Sequence, residues 1–146
     1  MFRGVANLNL DNKGRLAVPA KHRDRLLAKS EGRLVLTADP SKSLLLYPEG
    51  EWEPIQQKLM TLSSFKPEIR ALQRLLVGYA EDVEMDAAGR VLVPPPLREF
   101  AGLDKRIVLV GQGNRFELWD EARWRQELTT AVGLTQLPAE LDGFSL

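Results

Sequence analysis

The sequence predicts an α+β fold, mainly β, in which two tandem copies of one unit share a small β-barrel with flanking helices. Two observations lead to this prediction. A segment near the start of the chain recurs 75 residues later, and the whole chain has only 146 residues. Each copy is therefore too short to bury a sizeable core of its own. We expect the copies to fold as one body with pseudo-twofold symmetry.

The repeat is clearest in residues 10–23, LDNKGRLAVPAKHR, and residues 85–98, MDAAGRVLVPPPLR. Six positions are identical between the copies: Asp11, Gly14, Arg15, Val18, Pro19 and Arg23 match Asp86, Gly89, Arg90, Val93, Pro94 and Arg98. The likeness continues with small gaps as far as Trp52, which matches Trp124. A tandem duplication over residues 3–60 and 78–130 explains a match of this extent.

The pattern within each copy predicts strand, turn, strand, short helix, two strands and a final helix. Alternating apolar residues around the turn indicate half-buried strands. Asp-x-x-Gly is typical of a tight turn, and Pro19 or Pro94 suits the first turn of a helix. Pro54 is expected to interrupt the final helix of copy 1 early. An additional amphipathic helix over residues 67–77 is expected to link the copies.

We divide the chain accordingly into four segments. Repeat 1 covers residues 5–52, a helical linker covers 53–80, repeat 2 covers 81–124, and the end of the last helix with the tail covers 125–146.

Charge is unevenly distributed along the chain, although the formal net charge is zero. Residues 1–26 contain six Lys and Arg against two Asp, whereas residues 80–106 contain four Lys and Arg against six Asp and Glu. An anionic phosphate backbone is attracted to the first window and repelled by the second. This contrast predicts an anion-binding face in copy 1.

Several classes of protein are disfavoured by composition. The chain has no cysteine, which excludes disulfides and thiolate metal sites. No apolar run approaches the ~20 residues of a membrane span, and no secretory signal is visible, so a cytoplasmic protein is expected. The single histidine, His22, is expected at a helix surface. Without an acid–base pair, nucleophile or metal cluster, we predict no enzyme, no cofactor, no metal and no small-molecule substrate. Trp52, Trp119 and Trp124 are expected in the core or a subunit interface.

The N-terminal MFRG, the two D-x-x-G-R turns with a following V-P step, and the tandem layout resemble the MraZ family of bacterial transcriptional regulators. That resemblance implies two SpoVT/AbrB-type swapped-hairpin repeats that form a double-split β-barrel. It also implies closed homo-oligomeric rings at the nucleoid that bind spaced direct repeats in double-stranded DNA. The resemblance further implies that the target is the promoter of the division and cell-wall gene cluster and that the action is mainly repression. The arginine of the motif, here Arg15 and Arg90, is implicated in contacting DNA.

Individual roles follow from side-chain chemistry. Arg15 is predicted to pair with guanine in the major groove, and Lys13, with Asn12 beside it at the turn, to contact a phosphate. Arg90 is expected to contribute less because its copy is acidic. Further phosphate contacts are assigned to Arg3, Lys21, Arg23 and Arg25, each with the alternative of a solvated surface position. Asp11, Gly14, Asp86 and Gly89 are expected to shape the turns.

Two broader alternatives remain at this stage. The Asp–Arg pair of each turn can be purely structural, worth at most about 1 kcal/mol at a surface. The whole chain can instead be a ring-forming structural or interaction protein whose basic loop binds an acidic partner.

Overall fold

The computed structural model describes residues 1–145, and the same order of elements occurs in both halves of the chain. The first half contains β1 (Phe2–Asn9), β2 (Arg15–Ala17), α1 (Ala20–Ser30), β3 (Arg33–Ala38), β4 (Leu44–Pro48) and α2 (Glu49–Thr61). Helix α3 (Pro67–Leu76) follows. The second half contains β5 (Glu81–Glu84), β6 (Arg90–Leu92), α4 (Pro95–Phe100), β7 (Arg106–Gly113), β8 (Phe116–Asp120) and α5 (Glu121–Val132). A 3₁₀ turn at Ala139–Leu141 lies in the tail.

The two halves exchange strands, and every pair is antiparallel. A six-stranded sheet has the order β1-β7-β8-β4-β3-β5, and β2 pairs with β6 in a separate two-stranded ribbon. Leu8 on β1 lies opposite Ile107 on β7, and its counterpart Val83 on β5 lies opposite Leu34 on β3. Equivalent residues thus make equivalent cross-half pairs, which is pseudo-twofold symmetry.

The predicted α+β class is confirmed, and the sheets are antiparallel. The expectation of a mainly β chain is wrong, because the five α-helices within residues 1–145 contain more residues than the eight strands. In residues 1–145 the hydrogen-bonded strands do not close into one barrel, because β1 and β5 are the two edges of the large sheet. Helix α3 falls where the linker helix was predicted. The divisions at 52/53 and 124/125 fall inside α2 and α5, and the four-segment division stays a prediction.

One core serves both halves. A single cluster joins Leu16 and Val91 of the ribbon to buried residues of the large sheet, such as Leu34 and Ile107. A smaller cluster on the other face of the sheet packs Trp52 of α2 against Val35, Leu45 and Tyr47. Strands β3 and β4 are therefore covered on both faces, which explains their continuous apolar sequences.

Two expectations about single residues are wrong. Helix α2 runs through Pro54 without interruption. The hydrogen bond that Pro54 cannot make is to the carbonyl of Gly50, and both residues are exposed, so water can satisfy that carbonyl. His22 is buried, with 4% of its surface exposed. It lies four residues before Leu26 and eight before Ser30, on the face of α1 that packs against the sheet.

The tryptophans lie mostly in the interior. Trp52 and Trp119 are buried, as predicted. Trp124 is half-buried and packs against Trp119, with ring centroids 6.0 Å apart.

Candidate nucleic-acid interface

The two D-x-x-G-R turns have the same hydrogen-bonded geometry. In turn 1 (residues 11–15) the Asp11 Oδ1 atom accepts from the backbone N–H groups of Lys13, at 2.9 Å, and Arg15, at 2.8 Å. In turn 2 (residues 86–90) Asp86 Oδ1 accepts from Ala88, at 3.0 Å, and Arg90, at 2.8 Å. The aspartate thus shapes each turn by binding the backbone two and four residues ahead.

Each aspartate also holds the arginine of its own turn. Arg15 Nε donates to Asp11 Oδ2 at 2.7 Å, and Arg90 Nε donates to Asp86 Oδ2 at 3.0 Å. The backbone N–H of Arg15, and then its side chain, lower the pKa of Asp11 to about 2, and Arg90 lowers the pKa of Asp86 in the same way. Both carboxylates are therefore ionised at neutral pH. These bonds engage Nε, so the two terminal guanidinium nitrogens can still donate to a ligand.

The ribbon places the two arginines on one face. Arg15 lies opposite Leu92, and Ala17 lies opposite Arg90. The paired residues between them, Leu16 and Val91, are buried. Since side chains alternate along a strand, Arg15 and Arg90 share the outward face of the ribbon. The two arginines are offset by two residues along the strands and lie on neighbouring strands. Their Cα atoms are therefore about 8 Å apart.

The turns are locked together by a second pair of arginines, Arg23 and Arg98. Arg23 Nε donates to the carbonyl of Val18 at 2.7 Å, and Arg98 Nε donates to that of Val93 at 3.0 Å. Each guanidinium lies against the glycine of the other repeat. A methyl group added at Gly14 would lie 2.6 Å from Arg98 Cζ, and one added at Gly89 would lie 2.8 Å from Arg23 Cζ.

This interlocking redistributes charge between the copies. Arg98, Asp104 and Lys105 belong to repeat 2 by sequence, yet they line a cavity of about 400 Å³ together with Asp11 and Asn12 of turn 1. Conversely, Arg23 of repeat 1 lies at turn 2. Charge windows taken along the sequence therefore do not describe the field around each turn.

The remaining predicted residues fall into two places. Asn12 and Lys13 are exposed at turn 1. Arg3, Lys21 and Arg25 line a different cavity, together with His22, between β1 and α1. This second cavity shares no lining residue with the one at turn 1. Arg23 is half-buried and its Nε is engaged with Val18.

Arg98 was not among the predicted site residues, although it lies directly on turn 1. The signal that could have found it is its identity with Arg23 at the same repeat position. Arg23 and Arg98 are kept in both copies, as Arg15 and Arg90 are, whereas Lys13 and Lys21 of copy 1 are replaced by Ala88 and Pro96 in copy 2.

Residues 1–145 contain neither a cluster of metal-binding side chains nor a helix able to span a membrane. Within residues 1–145, no group of three or more His, Cys, Asp or Glu is placed to hold a metal ion. The helices of this same part of the chain are all too short or too polar to cross a membrane.

Fold and site together define a duplicated α+β protein whose halves jointly display a two-stranded ribbon with paired arginines. The family model described as "MraZ protein, putative antitoxin-like" matches the chain twice, over residues 1–75 and 76–143. The chain belongs to the MraZ family, as its motifs indicated.

Relatives of the same family match over their whole length. The chain is 63% identical to the transcriptional regulator MraZ of Methylobacillus flagellatus, and 60% identical to those of Thiobacillus denitrificans and Nitrosospira multiformis. Each match covers 100% of both chains. Because the family consists of regulators, the prediction that this chain is not an enzyme is confirmed.

Proposed function

We propose that this protein is a transcriptional regulator that binds double-stranded DNA sequence-specifically through the β2–β6 ribbon. The observation that carries the proposal is the placement of Arg15 and Arg90 on the same outward face of that ribbon, with 27% and 41% of their side chains exposed. The major groove of B-DNA is about 12 Å wide and admits a two-stranded β-ribbon. The name of the relatives, transcriptional regulator, supports the regulatory role.

Each aspartate restrains the side chain of its arginine before DNA binds. Because Asp11 holds Arg15 Nε, less side-chain freedom is lost when the guanidinium engages a base. Its two terminal nitrogens then match the O6 and N7 atoms of guanine, a pairing worth about 1–3 kcal/mol of discrimination. Asp86 prepares Arg90 in the same way.

The two turns differ in what surrounds the arginine. Turn 1 adds the exposed Lys13, which is suited to a phosphate, and Asn12, whereas turn 2 has alanines at both positions. Arg98 and Lys105 from the other repeat bring further positive charge to turn 1. Arg23 occupies the equivalent place at turn 2, and Asp104 lines the turn 1 cavity beside Lys105, so the difference between the turns rests on Asn12 and Lys13. On that ground we assign the stronger DNA contact to Arg15 and the weaker one to Arg90. Phosphate contacts by Arg3, Lys21, Arg23 and Arg25 stay predictions.

We infer further that subunits assemble into a closed ring that binds spaced direct repeats. One ribbon with two arginines is a small interface, and several ribbons on one DNA would raise affinity by roughly 10²–10⁴ through avidity. Large apolar side chains of α5 and the tail are available for subunit contacts, since Val132 is 78% and Leu137 58% exposed. A ring at the nucleoid that covers the promoter of the division and cell-wall gene cluster would repress it.

The ribbon and the large sheet are also consistent with a double-split, swapped-hairpin barrel. Both enclose the same core, and strands from one half complete the sheet of the other. We assign this barrel to the protein as the scaffold that holds both turns on one face.

Selection of bound duplexes from a random pool, followed by competition, tests the proposal. The selected duplex should stay bound in excess random DNA, and log K should fall steeply with log salt. Equal binding of selected and random duplexes would refute a specific regulator. Binding of an acidic protein in place of either duplex would instead support the structural or interaction alternative.

A further inference from the structure

A second basic cavity lies apart from the ribbon, and the N-terminal residues build it. Its volume is about 220 Å³, and Arg3, Lys21, His22 and Arg25 line it. Phe2 packs against the His22 ring at 5.8 Å and against Phe116 at 4.5 Å, measured between ring centroids. The sequence MFRG, which the ribbon does not use, thus forms one wall.

Gly4 leaves the space that Lys21 occupies. Its φ is +108°, and a methyl group added there would lie 2.5 Å from Lys21 Nζ. Any side chain at this position would meet the ammonium group and strain the backbone. On the opposite side Arg25 Nη1 donates to the Met1 carbonyl at 2.6 Å, which ties the start of the chain to α1.

The positive charge in this cavity is not neutralised. Across residues 1–145, no carboxylate lies within 4.0 Å of the charged nitrogens of Arg3, Lys21 or Arg25, whereas Arg15 and Lys29 each have one such partner and Arg33 has two. The neighbouring element β8 contributes the Phe116 ring, not an acid. Cations gathered without a counter-charge repel one another, so this arrangement favours an anion.

His22 is the second indication. Its Nδ1 atom is buried and has no hydrogen-bond partner. Burial first, and then the charges of Lys21 and Arg25, lower the pKa of His22. A buried polar atom without a partner costs about 1–3 kcal/mol, and such atoms are uncommon unless they serve a role.

The same place in the other repeat has a different character. At the offset of 75, Lys21 and His22 correspond to Pro96 and Leu97. Pro96 and Leu97 line a cavity of about 340 Å³ together with Tyr79, Gly78, Arg74 and Glu81. Among these lining residues Arg74 is the one cation, and the acid Glu81 lines the same cavity. Since the fold accepts proline and leucine at the positions equivalent to Lys21 and His22, these two residues of repeat 1 are not required by the architecture.

We propose that the Arg3–Lys21–Arg25 cavity binds a single phosphate group. A volume of about 220 Å³ is below the ~300–1,000 Å³ of sites for larger organic ligands, which favours one small oxyanion. The guanidinium groups can donate paired N–H bonds, and the ammonium adds a point charge. The group can be a free phosphate ligand or one phosphate of a DNA backbone, and the test below separates these sources. The inference does not depend on base reading by Arg15.

Nuclear magnetic resonance of His22 tests the site directly, because the chain has one histidine. The pH titration of its imidazole is followed in inorganic phosphate and in chloride at equal ionic strength. A bound anion stabilises the imidazolium, so phosphate should raise the pKa of His22 by about 1. Arg3→Gln combined with Lys21→Gln should abolish the response to phosphate. Lys58→Gln, which removes one charge from the exposed part of α2, should retain it.

A pKa of His22 that is the same in phosphate and chloride would overturn the proposal. A response of equal size in the double variant would also overturn it. The source of the phosphate is settled by a mixed-sequence duplex in the same titration. If the duplex shifts His22 and inorganic phosphate competes, the site holds a backbone phosphate; if only inorganic phosphate acts, it holds a free ligand. Arg15→Ala should leave the response to inorganic phosphate intact, so that failure of DNA reading is distinguished from failure of this site.

Discussion

Replacing Gly14 by alanine tests the interlocking of the two repeats. Gly14 has a φ of +85°, and a methyl group there would lie 2.6 Å from the guanidinium carbon of Arg98. The left-handed backbone costs a residue with Cβ about 1–2 kcal/mol. Displacing Arg98 from the Val93 carbonyl adds about 1 kcal/mol, the usual net value of a hydrogen bond. We expect Gly14→Ala to lower the free energy of unfolding by about 2–3 kcal/mol.

Urea denaturation measures this loss: the urea concentration at the unfolding midpoint should fall, while the slope of the unfolding free energy against urea concentration should not change. Gly50→Ala is the matched control, because Gly50 lies in α2 with nothing within 4 Å of an added methyl group. That substitution should be neutral or stabilise by up to about 1 kcal/mol.

A double-mutant cycle isolates the contact between repeats. With Arg98→Ala already present, Gly14→Ala should cost only the backbone strain, which leaves a coupling of about 1 kcal/mol. A coupling near zero, or equal stability of Gly14→Ala and Gly50→Ala, would refute the idea that Arg98 packs on turn 1.

Two further predictions concern ionisable groups. Because burial lowers the pKa of His22 below its ordinary 6.5, the unfolded chain takes up a proton first, and stability should fall as pH drops through that value. His22→Leu, which copies the repeat 2 residue Leu97, should remove this dependence of stability on pH. It should also raise the free energy of unfolding by about 1 kcal/mol in urea titrations at neutral pH. A lower free energy of unfolding would contradict the assignment of an unsatisfied Nδ1. For Asp11 the direction is the same but the pH range is lower: its pKa is lowered from 3.8 to about 2, so its contribution is complete above pH 3.8 and is lost towards pH 2. Asp11→Asn should flatten that part of the stability curve in acid-unfolding measurements, and an unchanged curve would show that the turn does not lower the pKa of this carboxyl group.

The recurrence of Asp-x-x-Gly-Arg was sufficient to predict the fold class and both turns. A short motif fixes local backbone geometry through its own atoms, since Asp11 binds the N–H groups of the same turn. The alternation around the turn likewise predicted which ribbon residues, such as Leu16, are buried. These features depend on neighbours in sequence, and a sequence shows them.

Contacts between the halves could not be predicted in the same way. Strand exchange brings Arg98 to turn 1 and Arg23 to turn 2, so the charge around a turn is set by residues far away in sequence. His22 was misplaced for a related reason. Its flanking charges indicate a solvated helix, but the rings of Phe2 and Phe116, from two different strands, enclose it.

The central claim, that Arg15 reads bases from the ribbon, is tested most directly by the affinity of Arg15→Ala for the selected duplex and a scrambled one. We predict that Arg15→Ala weakens binding to the selected duplex at least about tenfold and leaves binding to the scrambled duplex nearly unchanged. The variant should stay folded, with a loss of stability of at most about 1 kcal/mol from the missing contact with Asp11. Arg90→Ala should weaken specific binding much less. Equal losses of affinity for the two duplexes would show that Arg15 contacts a phosphate and does not read a base. An unchanged affinity for the selected duplex would contradict the account.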